Sequence, residues 1–307
     1  VTAIDADTDA ADRRAMDDGI AIAQSLLGTP LEGRAPAVIA KLVERYPHAT
    51  RLHLAQAHLH RRAGRLDLAA QATQRALVCD PGERMAQHLA AALRGETLPV
   101  DKLSGVPAPI RLHRDFFDPP THRRLLDLAL AAEPALAPSS IGGINPLPDW
   151  RRSKVDRSPR VFEDIALAPI VAATREAMAA FAMPPFPFDT VEMQFTAHND
   201  GDFYKSHRDQ GPGGLEHRRL TFVYYFNRQP RAFSGGGLAL FDSLSDGSAF
   251  AAQAYSLVEP EDNMLIIFPS SFWHEVQRVD CASRAYADSR FTLNGWIGVE
   301  RTAKAEI

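Results

Sequence analysis

Two histidines and one aspartate carry the strongest chemical signal in this sequence. His207 and Asp209 stand two apart in the run FTAHNDGDFYKSHRDQGPGG, and His274 follows the apolar run MLIIFP at the start of HEVQRV. Alternate residues of an extended chain project to the same side, so His207 and Asp209 can bind one metal ion together, with His274 as third ligand. Two imidazoles and a carboxylate on one face of an ion leave coordination positions open. That donor set suits Fe(II) and oxygen chemistry rather than a closed structural zinc site. A second triplet, His113-Arg114-Asp115, carries less, because it runs into DFFDPPTHRRLL, where Asp118 and two prolines read as a helix cap and entry. His198 and His217 flank the first triplet and are expected to be exposed.

The elements that must position these residues change character along the chain. Between residues 13 and 94, apolar positions recur three and four apart (Leu52, Ala55, Leu59; then Leu66, Ala69, Ala72, Ala76), which predicts amphipathic helices. A shift of about 34 residues sets Ala23 on Ala57, Leu42 on Ala76 and Pro47 on Pro81, a period of stacked helix pairs. Ala57, Gly64, Ala69, Ala76 and Pro81 give residues 50–83 a resemblance to a tetratricopeptide repeat, with a weaker copy at 16–49 and a capping helix at 84–94. So short an array is expected to pack on the rest of the chain. Its histidines, His48, His53, His58, His60 and His88, read as surface or packing residues. Residues 95–110, GETLPVDKLSGVPAPI, read as a linker.

Beyond the linker, helical stretches at 119–132 and 161–181 precede strands at 219–227, 237–242, 253–258, 264–268, 274–279 and 290–299. In RLTFVYYFN, Leu220, Phe222, Tyr224 and Phe226 share one face, and Thr221, Val223 and Tyr225 the other. Many short strands between turns predict a barrel or sandwich. The fold class is therefore α+β: helical repeats at 13–94, then a β domain at 111–300 with flanking helices.

Composition narrows the partners. The 307 residues hold 34 Lys and Arg against 38 Asp and Glu, a net charge of -4, which argues against a nucleic acid or an anionic membrane as partner. Cys79 and Cys281 lie far apart outside any Cys/His cluster, so both are expected to be small buried hydrophobes in a reducing compartment. No run approaches the roughly 18 apolar residues of a membrane span. The start VTAIDADTDAAD lacks the basic flank and apolar core of a signal peptide. The expected location is cytoplasmic.

Read in order, Y-x-x-H-x-D at 204–209, YYFN at 224–227, SGGGLALF at 234–241, FPSSFWHEV at 268–276 and SRFTLNGWI at 289–297 resemble the Fe(II)/2-oxoglutarate-dependent dioxygenases, in their prolyl 4-hydroxylase-like branch. The resemblance covers residues 110–300 and implies a double-stranded β-helix, or jelly roll. It implies Fe(II) on His207, Asp209 and His274, with 2-oxoglutarate and O2 as co-substrates and ascorbate as an accessory reductant. It further implies that Arg290, heading the strand FTLNGWI, grips the distal carboxylate of 2-oxoglutarate. Tyr225 would add a hydrogen bond from a facing strand, and Asn294 would share the inward face with Arg290. Arg284 stands nearer the family's usual spacing from the second histidine but sits in the loop-like DCASRAYAD, so Arg290 is preferred. Arg152 resembles a substrate-side arginine, and residues 140–150, SIGGINPLPDW, read as a lid. The implied activity is hydroxylation of a prolyl or other side chain of a protein or peptide, held by the helical repeats. The alternatives are the same chemistry on a free amino acid or secondary metabolite, with the repeats forming a homodimer, and a non-catalytic adaptor with a vestigial barrel.

Overall fold

The computed structural model describes residues 3–99, 105–139, 149–244 and 248–300, so residues 140–148 of the expected lid lie outside the described residues. Five helices come first: α1 (Ala3–Leu26), α2 (Ala35–Arg45), α3 (Thr50–Arg62), α4 (Leu66–Cys79) and α5 (Arg84–Leu93). The second half begins with β1 (Arg111–His113), α6 (Pro119–Ala131), β2 (Ala137–Pro138), β3 (Arg151–Arg152), β4 (Lys154–Asp156) and α7 (Arg160–Ala180). It continues with β5 (Thr190–His198), β6 (Phe203–His207), β7 (Arg218–Phe226), β8 (Ser234–Gly235) and β9 (Leu238–Ser243). The last strands are β10 (Phe250–Val258), β11 (Met264–Pro269), β12 (His274–Val276), β13 (Val279–Asp280) and β14 (Arg290–Gly298).

The helices pack on one another in sequence order, α3 on α4 and α4 on α5, through fully buried Ala57, Ala69, Ala72 and Ala76. Methyl side chains at these positions let neighbouring backbones approach. Gly64, at φ +70, ends α3 in the left-handed conformation that turns the chain into α4. As expected, the array packs on the β domain. Fully buried Arg61 pairs with Asp242 and donates from Nε to the Tyr255 carbonyl at 3.1 Å, while Arg62 donates to the Gln253 carbonyl at 2.8 Å. Residues 105–110 are not a free linker: Val106 bridges to Ser243, and Ala108 and Ile110 are buried in the barrel core. Cys281 is buried as expected, whereas Cys79 is partly exposed.

The strands form two antiparallel sheets facing each other, a jelly-roll arrangement. The larger has the order β1-β11-β7-β14-β5-β4-β2, the smaller β10-β9-β12-β6-β3, and β8 and β13 pair separately. Alternation along β7 works as read from the sequence. Leu220, Phe222, Tyr224 and Phe226 join Phe162, Ile170 and Ala177 of α7 in the outer core, and Val223 and Tyr225 face Leu238, Leu240 and Phe268 between the sheets. Each large apolar side chain so buried contributes about 1.5–3 kcal/mol relative to exposure. Asp118 caps α6 by accepting from the Thr121 amide at 3.0 Å.

Two features depart from the expectation. β5 was absent from the sequence reading although Val191, Met193, Phe195 and Ala197 alternate along it; it lies between β4 and β14 in the sheet. The polar run around His207 carries the chain from β5 in the larger sheet to β6 in the smaller one, and β6 ends at His207. Asp209 therefore lies beyond the strand, where its amide and that of Gln210 donate to the Ser270 carbonyl at 3.2 and 3.0 Å.

Candidate active site

The smaller sheet brings the three expected ligands together. His207 of β6 and His274 of β12 face each other directly in register, and their rings lie 4.2 Å apart. The His207 Nδ1–H donates to the Lys205 carbonyl at 2.8 Å and the His274 Nδ1–H to the Phe272 carbonyl at 3.1 Å. These bonds hold both rings in the tautomer that leaves Nε2 as a lone-pair donor. Both Nε2 atoms point at Asp209, at 3.7 Å from Oδ1 for His207 and 3.3 Å from Oδ2 for His274. The three ligand atoms lie within 4.8 Å of one another, close enough for one divalent ion to bind all three. Thr221 of β7 donates to Asp209 Oδ2 at 2.8 Å and fixes the carboxylate from the other sheet.

Electrostatics prepare the same atoms. Burial, and then the neighbouring His274, lower the His207 pKa to about 3, so its imidazole is neutral at pH 7 and free to ligate. Burial alone would raise the Asp209 pKa, but His274, His207 and hydrogen bonding outweigh it and hold the carboxyl below its usual range. The Tyr204 ring stacks on His207 at 3.5 Å and Phe268 packs edge-on to His274 at 5.0 Å, leaving both imidazoles little rotational freedom.

Arg290 stands across the same cavity, on the larger sheet. It opens β14 opposite His198 of β5, and Arg290, Thr292, Asn294 and Trp296 line the cavity at alternate positions. Its side chain is 2% exposed, its Cζ lies 4.8 Å from the Tyr225 ring centroid, and its Nη1 donates to His198 Nδ1 at 3.3 Å. Arg290 Nε, the Tyr225 hydroxyl and His198 Nε2 are buried without hydrogen-bond partners among the described residues. Such groups cost free energy unless a ligand satisfies them, and a carboxylate has the lone pairs to do so. Asn294 Oδ1 already accepts from Thr196 at 2.8 Å and from Thr292 at 3.3 Å, which leaves only its amide nitrogen for a ligand. Arg284 is on the surface, paired with Asp200 at 3.0 Å, and does not line this cavity.

Three readings from the sequence are corrected. His198 is buried beside Arg290 rather than exposed, and alternation along VEMQFTAH was the signal that would have placed it. His217 is also buried, with Nε2 bonded to Glu192 at 2.9 Å. Arg151, not Arg152, reaches the metal cavity; Arg152 faces Asp202 at 3.6 Å in an outer cleft of about 400 Å³. Adjacent residues of an edge strand project to opposite sides, and nothing in the dipeptide itself says which is inward. Gly236, at φ +71, was not singled out: a Cβ there would meet Arg290 Cδ at 2.8 Å.

This geometry agrees with what the chain is similar to. Residues 193–298 match the profile of the 2OG-Fe(II) oxygenase superfamily. An uncharacterized PKHD-type hydroxylase from Synechocystis is 42% identical over 123 residues, 40% of this chain and 41% of that protein. A prolyl-4-hydroxylase structure from Pseudomonas putida has 20% sequence identity and a TM-score of 0.46, covering 62% of this chain and 93% of that one. An oxidoreductase of the 2OG-Fe(II) oxygenase family from Burkholderia pseudomallei has 14% identity and a TM-score of 0.44, covering 64% and 88%. Within the β half of the chain, residues 193–298 are thus similar to the 2OG-Fe(II) oxygenases. The stretch shared with the curated relative spans less than half of either protein.

Proposed function

We propose that this protein hydroxylates an unactivated C–H bond with Fe(II), O2 and 2-oxoglutarate, and that His207, Asp209 and His274 hold the iron. The observation that carries the reading is the convergence of two imidazole Nε2 atoms and one carboxylate opposite a buried arginine in one cavity. The bound iron would couple oxidative decarboxylation of 2-oxoglutarate, giving succinate and CO2, to insertion of oxygen into the substrate. Arg290 binds and orients the distal carboxylate, the Tyr225 hydroxyl donates to it, and the Asn294 amide nitrogen faces the same space. Thr221 keeps the Asp209 lone pairs directed at the iron position. Phe268, Val223 and Leu238 exclude water around the reacting groups.

The substrate is read as a prolyl or other side chain of a protein or peptide. A small inner cavity beside a wider outer cleft, with Arg151 lining both, fits a side chain presented from outside better than a large rigid molecule. No described residue of α1–α5 lines either cavity, so the repeat-like helices would act away from the reacting group, holding the remainder of a long substrate or a second copy of the chain. The test is succinate release by the Fe(II)-reconstituted full chain. Release that survives combined His207→Ala and Asp209→Ala substitution would overturn the iron assignment.

A further inference from the structure

The outer cleft beside the metal cavity is lined by four cations, and three have their own carboxylate. Arg152 meets Asp202 at 3.6 Å, Lys154 meets Glu133 at 3.3 Å and Arg284 meets Asp200 at 3.0 Å. Arg151 is the exception. It lines both the cleft and the metal cavity, its guanidinium rests over the Tyr204 ring at 4.7 Å, and its Nε is buried without a hydrogen-bond partner. Asp209 acts on it across the cavity, but that carboxylate is engaged by the two histidines and Thr221.

Two more polar groups in the cleft are left over. The Ser153 and Ser139 hydroxyls are buried, 7% and 3% exposed by residue, and neither has a partner among the described residues. Ser153 stands two residues after Arg151, and the Ser139 amide donates to the Ser153 carbonyl at 2.9 Å, so the three side chains belong to one stretch of wall. A buried guanidinium Nε–H and two buried hydroxyls without partners among the described residues are all donors, and a carboxylate has the charge and the lone pairs to accept from such groups.

We infer that Arg151, Ser153 and Ser139 bind a carboxylate of the substrate, placing its reacting carbon over the metal position. The substrate would then be an acid, either a free carboxylate beside the hydroxylated carbon or an acidic residue next to the modified side chain. This rests on the proposed reaction but can be tested without turnover. The co-substrate is a second source of carboxylate, and the experiment separates the two: Arg290, at the far side of the cavity, is available to the distal group of 2-oxoglutarate, while Arg151 opens to the cleft.

The test is ¹⁹F line broadening of 4-fluorobenzoate and of its neutral counterpart 4-fluorobenzamide on the full chain in saturating 2-oxoglutarate. The acid should bind and the amide should not, and Arg151→Gln should weaken the acid roughly tenfold or more. Ser153→Ala and Ser139→Ala should each weaken it less, and Arg151→Lys, which keeps the charge, should retain part of the binding and guards against misfolding of the Gln variant. The affinity for 2-oxoglutarate, read by calorimetry, should be unchanged in Arg151→Gln. Equal binding of acid and amide, no binding of either, or undiminished binding by Arg151→Gln overturns the inference. A parallel loss of 2-oxoglutarate affinity would assign Arg151 to the co-substrate instead and overturn it equally. Failure of the iron reading would appear separately, as absent succinate release by the wild-type protein.

Discussion

Replacing Arg290 with methionine should move stability and co-substrate binding in opposite directions. Arg290 is a cation 2% exposed, and among the described residues no carboxylate pairs with it; burial lowers its pKa, opposed only by Tyr225. Burying an ion costs several kcal/mol even after relaxation. The hydrogen bond to His198 returns about 1 kcal/mol, and the contact with the Tyr225 ring about 1–2 kcal/mol. Arg290→Met should therefore stabilise the ligand-free protein by on the order of 1–3 kcal/mol, a rise of a few degrees in Tm. For 2-oxoglutarate the sign reverses. Truncating one partner of a buried charge pair costs about 2–5 kcal/mol, roughly 30- to 5000-fold in Kd. Thermal unfolding with and without 2-oxoglutarate, combined with calorimetric titration, reads both effects. A variant that loses several degrees without ligand, or binds 2-oxoglutarate as tightly as the wild type, refutes the assignment of Arg290 as an anion clamp awaiting its anion.

Other perturbations test the surrounding wall and the junction of the two halves. His198 has its pKa held well below the ordinary 6.5 by burial and then by Arg290 and Arg151. Its contribution to stability is complete above pH 6.5 and is lost as pH falls below it, by up to about 1.4 kcal/mol per pH unit; His198→Gln should flatten the fall in Tm of the metal-free protein between pH 7 and 5. Gly236→Ala must adopt φ +71 and displaces the Arg290 side chain, so calorimetry should record weaker 2-oxoglutarate binding, by about tenfold, together with a loss of about 1–3 kcal/mol in stability. Arg61→Ala leaves Asp242 buried and unpaired, at a cost of about 3–5 kcal/mol in urea denaturation, and Arg61→Met with Asp242→Leu should recover most of it.

The spacing of His207, Asp209 and His274 proposed a set of metal ligands before any contact was known, and the fold brings the three side chains together. Alternation along β7 separated Tyr225 from the face of Leu220, Phe222, Tyr224 and Phe226, and along β14 set Asn294 on the face of Arg290, since side-chain direction follows from a period of two; the roles given to Tyr225 and Arg290 came from the family resemblance. That logic stops at strand ends and edges. It put Asp209 on an extended strand although it lies past the end of β6, and it has no purchase on the two-residue strand β3, where Arg151 lines the metal cavity. It also read the stretch before Ile110 as linker, when Ala108 and Ile110 complete the barrel core.

Residue type and periodicity, both local properties, were enough to separate a helical half from a strand-rich half and to propose the donor set, while the choice of Arg290 rested on the family resemblance. Only the tertiary structure decided which polar groups are left without partners. His198 Nε2, the Tyr225 hydroxyl, Arg290 Nε and Arg151 Nε are unsatisfied because of what residues distant in the chain fail to supply. Unmet hydrogen-bonding capacity in a buried cavity is a sum over every neighbour, and only folding assembles those neighbours.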